Sequence, residues 1–198
     1  MPKTIDDRIV IVDIDEKSLS EVGRWPWGRN RLAELMDELF ERQQIGLVGF
    51  DVVFAEPDES SGLKRLRQLA QAELRDQSGF IDRLNQLQST LDYDASFARS
   101  LEKRPVVLGY YFTSDRDGRT SGLLPSPVMA RESLLGRPIK FTSWNGYGSN
   151  IEQLAKAAPV AGFFNSITEG DGVVRSIPLI AEHQGQYYES LALAMFRM

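Results

Sequence analysis

The chain has 198 residues, a net charge of −5 and ordinary globular composition, with 42% hydrophobic and 26% charged residues. This length predicts one domain, residues 1–198, with a substantial core, and the composition excludes a wholly disordered or fibrous chain. The absence of cysteine excludes disulfides and thiolate metal sites, the single histidine excludes sites that need two, and the acidic balance argues against nucleic acid as a partner.

The first half of the sequence predicts a parallel βαβ unit. Residues 8–15 are nearly continuous in β-branched residues, which is typical of a central strand covered on both faces. Residues 47–54 repeat that pattern and predict a second buried strand. Between them a helix is predicted by one apolar stripe, formed by Leu32, Leu35, Met36, Leu39 and Phe40.

Residues 63–91 differ in composition and predict a helical insertion, as two helices or one bent helix. A further helix is predicted to begin near Asp92 or Asp94. Residues 105–112 are apolar and predict the third strand.

The second half predicts short elements. Lys140 to Ser143 is a candidate strand, and residues 151–157 predict one or two helical turns. Residues 161–165 and 173–180 flank the turn-forming sequence Glu169-Gly170-Asp171-Gly172, so we expect an antiparallel hairpin there. The single histidine, His183, is expected in a polar turn on the surface.

Together these elements predict an α/β fold. A mixed central sheet has a parallel βαβ core and an antiparallel C-terminal hairpin, with helices on both faces. Ser190 is predicted to cap a final helix from Leu191, whose apolar run favours a signal-transmitting helix that leads into a membrane. No run of eighteen apolar residues exists, so no membrane span is expected within these residues. Both ends look cut from a longer protein, and residues 8 and 198 are expected at one end of the domain.

Three aspartates admit two interpretations. Asp13 and Asp15 follow the first strand, and together with Asp51 they are the residues of an alternative hypothesis, a metal-dependent hydrolase. The interpretation we favour is structural: Asp13 binds backbone donors and Asp15 caps a helix. Asp51 interrupts an apolar strand, so we expect it to be buried and paired with Arg24, Arg29 or Arg175.

Trp25 and Trp27 flank Pro26 and are expected to pack as a lid on the end of the sheet, with an exposed aromatic clamp as the alternative. The alternative interpretation of Asp51 is the wall of a pocket near the carboxyl ends of the strands, where open α/β sheets bind ligands.

The chain resembles a known family in several segments. Ile11-Val12-Asp13-Ile14-Asp15-Glu16-Lys17-Ser18-Leu19, Arg24-Trp25-Pro26-Trp27-Gly28-Arg29 and Gly49-Phe50-Asp51-Val52-Val53-Phe54 carry the resemblance in the first half. Gly162-Phe163-Phe164-Asn165, Asp171-Gly172-Val173-Val174-Arg175 and Ser190-Leu191-Ala192-Leu193-Ala194 continue it. The sequence is similar to the CHASE type 2 sensory domain of bacterial transmembrane receptors over nearly its whole length.

The resemblance implies a sensor and not an enzyme, without a cofactor or a metal, on the extracytoplasmic (periplasmic) side of the cell membrane. Such domains usually follow one membrane helix and precede several more, here absent from the chain, that lead to a cytoplasmic nucleotide cyclase or kinase. The ligand, a small molecule or a protein, is not implied, and a homodimer through the last helix or residues 63–91 is expected to be feasible. The candidate ligand-pocket residues are Asp13, Asp15, Trp25, Trp27, Arg29, Asp51, Asn165 and Arg175.

Overall fold

A computed structural model describes residues 8–168 and 170–198. The helices in these ranges are α1 (Glu16–Val22), α2 (Arg29–Asp37), α3 (Leu63–Gln71), α4 (Ser78–Leu91), α5 (Tyr93–Leu101), α6 (Glu152–Ala157) and α7 (Leu191–Arg197). A π-helical turn (Glu38–Arg42) extends α2, and a 3-10 turn spans Arg131–Leu134. Among the helices of the described ranges, none combines the length and the apolarity that a bilayer crossing requires.

The strands are short, apart from one. They are β1 (Val48–Phe50), β2 (Val106–Thr113), β3 (Thr120–Ser121), β4 (Met129–Ala130), β5 (Thr142–Ser143), β6 (Gly146–Gly148), β7 (Ala161–Phe163), β8 (Ile167–Thr168), β9 (Val174–Ser176), β10 (Ile180–His183) and β11 (Gln186–Glu189).

The long strand β2 organises a five-stranded mixed sheet. Its first half lies parallel to β1, with Val48 opposite Val106, and parallel to β7, with Leu108 opposite Ala161. Its second half is antiparallel to β6, which in turn lies parallel to β3. The chain passes from β1 to β2 through α3, α4 and α5, so a parallel β-helix-β connection joins these two strands. The predicted α/β class is confirmed, but the parallel unit does not lie between residues 8–15 and 47–54, where it was predicted.

Helices cover both faces of the sheet at β1, as predicted. Successive side chains of a strand point to opposite faces. The ring of Phe50 lies 5.9 Å from that of Phe97 on α5, whereas a side chain at Gly49 would meet Met195 on α7. Phe54 completes the cluster on the α5 side, with its ring 5.2 Å from that of Phe97.

Residues 8–15 do not form the predicted central strand. Ile9, Val10, Ile11 and Val12 are 74%, 78%, 88% and 64% exposed. Within the described residues, β1 pairs with β2 alone. The apolar pattern is that of a covered strand, but α1, which follows directly, buries none of its residues and so does not hold this segment against the sheet.

The helical predictions are confirmed. Residues 63–91 form the pair α3 and α4, which bury only Leu63 and Leu84 and so lie outside the main core. Asp92 caps α5 by accepting a hydrogen bond from the Ala95 N–H at 3.0 Å, and Ser190 caps α7 by accepting from the Leu193 N–H at 3.3 Å.

The C-terminal strands form two antiparallel hairpins rather than one. β8 pairs with β9 around the predicted turn, of which Glu169 lies outside the described residues, and the pair forms a separate two-stranded sheet. β10 pairs with β11 in a four-stranded sheet of order β4-β11-β10-β5. The prediction that the hairpin belongs to the central sheet is therefore wrong. β7, which was expected to be the first strand of that hairpin, pairs instead in parallel with β2.

His183 is buried, which corrects the prediction of a surface histidine. The turn itself follows it, at Gln184 and Gly185, both with positive φ. His183 is the last residue of β10, whose alternation turns it inward. Its Nδ1 lies 3.0 Å from the Trp144 carbonyl oxygen, and its ring meets the Tyr147 ring at right angles.

Candidate functional site

The Trp25-Pro26-Trp27 segment forms a half-buried aromatic loop before α2. The Trp25–Pro26 peptide bond is cis. The two indole rings meet edge to face with centroids 5.8 Å apart, and Trp27 Nε1 donates to the Gly23 carbonyl at 2.7 Å. Both rings pack against the core, so the expected packing is confirmed, although neither ring is fully buried.

Arg29, the first residue of α2, is the buried cation of this region and is only 8% exposed. Its guanidinium carbon lies 4.4 Å above the centre of the Phe54 ring. Its Nε lies 3.6 Å from Asp94 Oδ1, and both side chains keep only 10% of their surface exposed. A buried cation needs such a partner, and the structure supplies it from α5.

Asp58 joins the two through backbone hydrogen bonds. Its Oδ2 accepts from the Arg29 N–H at 2.6 Å, so it stabilises the N-terminus of α2, where Gly28 has no side chain to do so. The Asp58 N–H in turn donates to Asp94 Oδ2 at 2.8 Å. Arg29, Asp58 and Asp94 thus form one connected group, the Arg29 cluster.

Burial dominates the electrostatics of the Arg29 cluster. Loss of hydration raises the pKa of Asp94 above its ordinary value despite the nearby guanidinium, and it lowers the pKa of Arg29. Asp58 behaves in the opposite way: its pKa is lowered, because hydrogen bonds from Ser60 and from the Arg29 N–H outweigh burial. The cluster therefore holds two carboxylates of different proton affinity beside one cation.

The contact between Arg29 and Asp94 is loose. Arg29 Nε and Asp94 Oδ1 are both buried, and neither has a hydrogen-bond partner. A guanidinium prefers paired hydrogen bonds to a carboxylate at about 2.7–2.9 Å, which the 3.6 Å separation does not provide. The Arg29–Asp94 pair itself is thus held by burial and charge, while Arg29 Nη2 donates to the Glu56 carbonyl at 3.4 Å.

The structure shows the surroundings of the three predicted aspartates, Asp13, Asp15 and Asp51. Asp15 caps α1, accepting from the Ser18 N–H at 2.8 Å and from the Ser18 hydroxyl at 2.7 Å, which confirms the structural interpretation and lowers its pKa. Asp13 is exposed. Asp51 is exposed as well, so the prediction of a buried Asp51–arginine pair is wrong: β1 ends at Phe50, and water hydrates the next side chain.

The alternative metal site gains no support from the described residues. Across residues 8–168 and 170–198, no group of three or more histidine, cysteine, aspartate or glutamate side chains could hold a metal ion. Asp13, Asp15 and Asp51 therefore do not form the cluster that the hydrolase hypothesis requires.

The two remaining candidates are Asn165, which binds the backbone, and Arg175, which forms a surface ion pair. Asn165 binds both backbone groups of Phe112, accepting from its N–H at 2.7 Å and donating to its carbonyl at 2.9 Å. Arg175 is exposed and forms an ion pair with Asp171, with Nη2 2.8 Å from Oδ2. Neither lines a common pocket with the Arg29 cluster in the contacts the structure shows.

Sequence reasoning missed Asp58, Asp94 and Asn150. Asn150 is buried; its Oδ1 accepts from the Phe54 N–H at 2.8 Å, and its Nδ2 donates to the Gly109 carbonyl at 2.9 Å. No local pattern marks these residues, because their partners lie between 29 and 96 positions away. Asp94 carried a signal only as a candidate helix cap, a role that Asp92 takes.

A shallow groove of about 520 Å³ lies between α5 and α6. Its lining combines small apolar residues with charged and polar ones, namely Ala95, Ala98, Arg99, Glu102, Lys103, Gln153, Lys156 and Ala157. None of the ligand-pocket residues predicted from the sequence lines this groove.

The family comparison agrees with the sequence motifs. The model of the CHASE2 domain matches residues 1–198, the whole chain. This chain belongs to the CHASE2 domain family. CHASE2 domains are extracellular sensory domains of receptors, which confirms the resemblance and supports a sensory rather than a catalytic role. Neither a curated protein nor a solved structure matches this CHASE2 chain.

Proposed function

We propose that this CHASE2 domain is the signal-input part of a bacterial transmembrane receptor. It relays ligand or partner binding on the periplasmic side through membrane helices to a cytoplasmic cyclase or kinase. Family membership supports the sensory role. The observation that carries the relay is the docking of α7 on the central sheet.

α7 contacts the sheet through two close approaches. A side chain at Gly49 of β1 would overlap Met195, and one at Gly162 of β7 would overlap the backbone at Leu191. At Gly162 any added side chain must displace the start of the helix, whereas at Gly49 it must displace the Met195 side chain. α7 buries Ala194 fully, whereas Phe196 on the same helix is 89% exposed.

One ion pair fixes the far end of α7. Arg197 donates from Nε and Nη2 to the carboxylate of Glu189, at distances of 2.6 to 3.2 Å. Glu189 is nearly buried while Arg197 is half-exposed. A ligand that binds two positions of α7 with unequal affinity would shift the helix toward the position it prefers.

The input site proposed here is the aromatic loop together with the Arg29 cluster. A ligand with an anionic group could pair with the Arg29 guanidinium, whose Nε has no hydrogen-bond partner. Arg29 follows the half-buried Trp27 by two positions in the chain. Displacing Asp94 from Arg29 would release the start of α5, and Phe97 of α5 contacts Phe50 of β1.

The relay is tested by locking α7 to β1 in the full-length receptor. Residues 1–198 contain no cysteine, so Gly49→Cys with Met195→Cys introduces the only pair within this domain. The Cγ of Met195, whose place a cysteine sulfur would take, lies 3.2 Å from a Cβ at position 49, which leaves room for a disulfide of about 2.04 Å.

Oxidation of the double variant is expected to change the cytoplasmic cyclase or kinase activity, and reduction is expected to reverse the change. Met195→Cys alone, under the same oxidation, is the matched control and should show no change. A receptor whose output is the same with the disulfide formed and reduced would contradict the relay. Alkaline phosphatase fused after residue 198 tests the location separately, since it is active only outside the cytoplasm.

A further inference from the structure

Residues 9–22 form an arm in which Ile14, Ser18 and Leu19 are partly buried and every other residue is exposed. Its first part is extended and exposes four consecutive β-branched side chains, Ile9 to Val12, by 64% or more. Its second part is α1, which has no buried residue. Four adjacent exposed side chains of this kind form an apolar patch, and such patches mark interaction sites on soluble domains.

The central sheet has an open edge at β1, whose three residues compare with the four residues Ile9 to Val12. Within the described residues β1 pairs with β2 on one side only, so the backbone groups along its other side have no strand partner. An open edge of this kind is a template for a further strand. β1 is preceded by Leu47 and followed by the exposed Asp51, just as Ile9 to Val12 is followed by the exposed Asp13.

The two faces at this edge explain why the arm is apolar throughout. A strand with water on one face alternates apolar and polar residues, whereas one covered on both faces is apolar at every position. At β1, α7 covers one face through Met195, and Phe97 covers the other against Phe50. A strand added beside β1 would therefore place alternate side chains next to α7 and next to the α5 side of the core.

We propose that Ile9–Val12 of one copy adds as a parallel strand to the β1 edge of a second copy, and that the exchange is reciprocal. The occupant is a second copy because, in the described chain, Ile9 to Val12 stay 64% or more exposed and do not pair with the β1 edge of their own chain. A two-fold arrangement pairs both open edges and covers both apolar arms at once, and it closes without leaving a free site. This interface is separate from dimers through α7 or residues 63–91.

The first test is the mass in solution of the 198-residue chain, by size-exclusion chromatography with light scattering. The wild type is expected at twice the 22.3 kDa of one chain. Ile11→Asp is expected at the mass of one chain, because it would place a carboxylate within the added strand. Since Ile11 is 88% exposed within the single chain, its thermal melt as a monomer should show a folded domain.

The matched control is Ile139→Asp, the same exchange at an exposed position outside the arm, which should keep the mass of two chains. A wild type that is monomeric over the concentration range would overturn the proposal. A dimer that persists in Ile11→Asp would overturn it as well, since another surface would then join the copies.

A cross-linking test separates exchange from docking within one chain. One preparation carries Asp13→Cys and another, with a different tag, carries Asp51→Cys; both positions are exposed, and the chain has no other thiol. After mixing, a short thiol-specific cross-linker is expected to join the two differently tagged chains. In a chain carrying both substitutions, a cross-link formed only within one copy would overturn the exchange, and so would the absence of any cross-link.

Discussion

Asp94→Ala is the most informative substitution, because it removes the partner of a buried cation. Arg29 and Asp94 each keep about 10% of their side-chain surface exposed, so water screens little of what is lost. Removing one member of a buried pair costs about 3–5 kcal/mol, since the remaining charge stays buried and unpaired. For a domain of this size each kcal/mol lowers the melting temperature by about 2–4 °C, so we expect a decrease of roughly 6–20 °C.

The assay is chemical and thermal unfolding followed by circular dichroism. Asp51→Ala is the matched control: it removes the same group at an exposed position, where a change within about 0.5 kcal/mol is expected. Asp94→Asn keeps an oxygen that can accept from the Asp58 N–H but removes the charge. It therefore isolates the contribution of the negative charge to the free energy of unfolding. If Asp94→Ala and Asp51→Ala unfolded alike, the assignment of Asp94 as the partner that stabilises Arg29 would be refuted.

Three further predictions concern stability. Because burial raises the pKa of Asp94 in the folded chain above its value in the unfolded chain, the folded chain binds this proton more tightly. The free energy of unfolding of the wild type relative to Asp94→Asn should therefore increase as pH falls from about 7 to about 4, measured by urea unfolding. Asn150→Ala leaves the Phe54 N–H and the Gly109 carbonyl without their partner and should cost about 2–6 kcal/mol in the same assay, at 1–3 kcal/mol per group; a cost under 1 kcal/mol would contradict it. His183→Ala should cost about 2 kcal/mol or more, whereas a surface histidine would cost under about 0.5 kcal/mol.

Local patterns predicted the helices and the long strand correctly because their causes are local. The stripe from Leu32 to Phe40 gave α2, and residues 105–112 gave β2, since side-chain spacing decides which face is buried. The caps at Asp92 and Ser190 were equally legible, because a capping side chain binds a backbone group three positions away.

Pairing between distant segments could not be predicted in the same way. Residues 8–15 have the composition of a strand covered on both faces, but composition does not determine which strand they would pair with. In the described chain they pair with no strand. Asp51 was expected to be buried from its apolar neighbours in sequence, whereas the end of β1 leaves it in water. Arg29, one of the three partners predicted for Asp51, pairs instead with Asp94 of α5, 65 positions further along.

β1 lies between α5, which belongs to the proposed input site, and α7, the proposed output helix. On one face Phe50 contacts Phe97, and Phe97 stands one helical turn after Asp94 on α5. On the other face Gly49 meets Met195 of α7. In the relay proposed above, a shift of α5 that accompanies loss of the Arg29–Asp94 contact would press on a three-residue strand whose opposite face supports the last helix. Because protein interiors are close-packed, the strand would pass such a displacement on to α7. An added strand on the open edge of β1 would hold it from the side, so association of two copies and movement of α7 would depend on the same three residues.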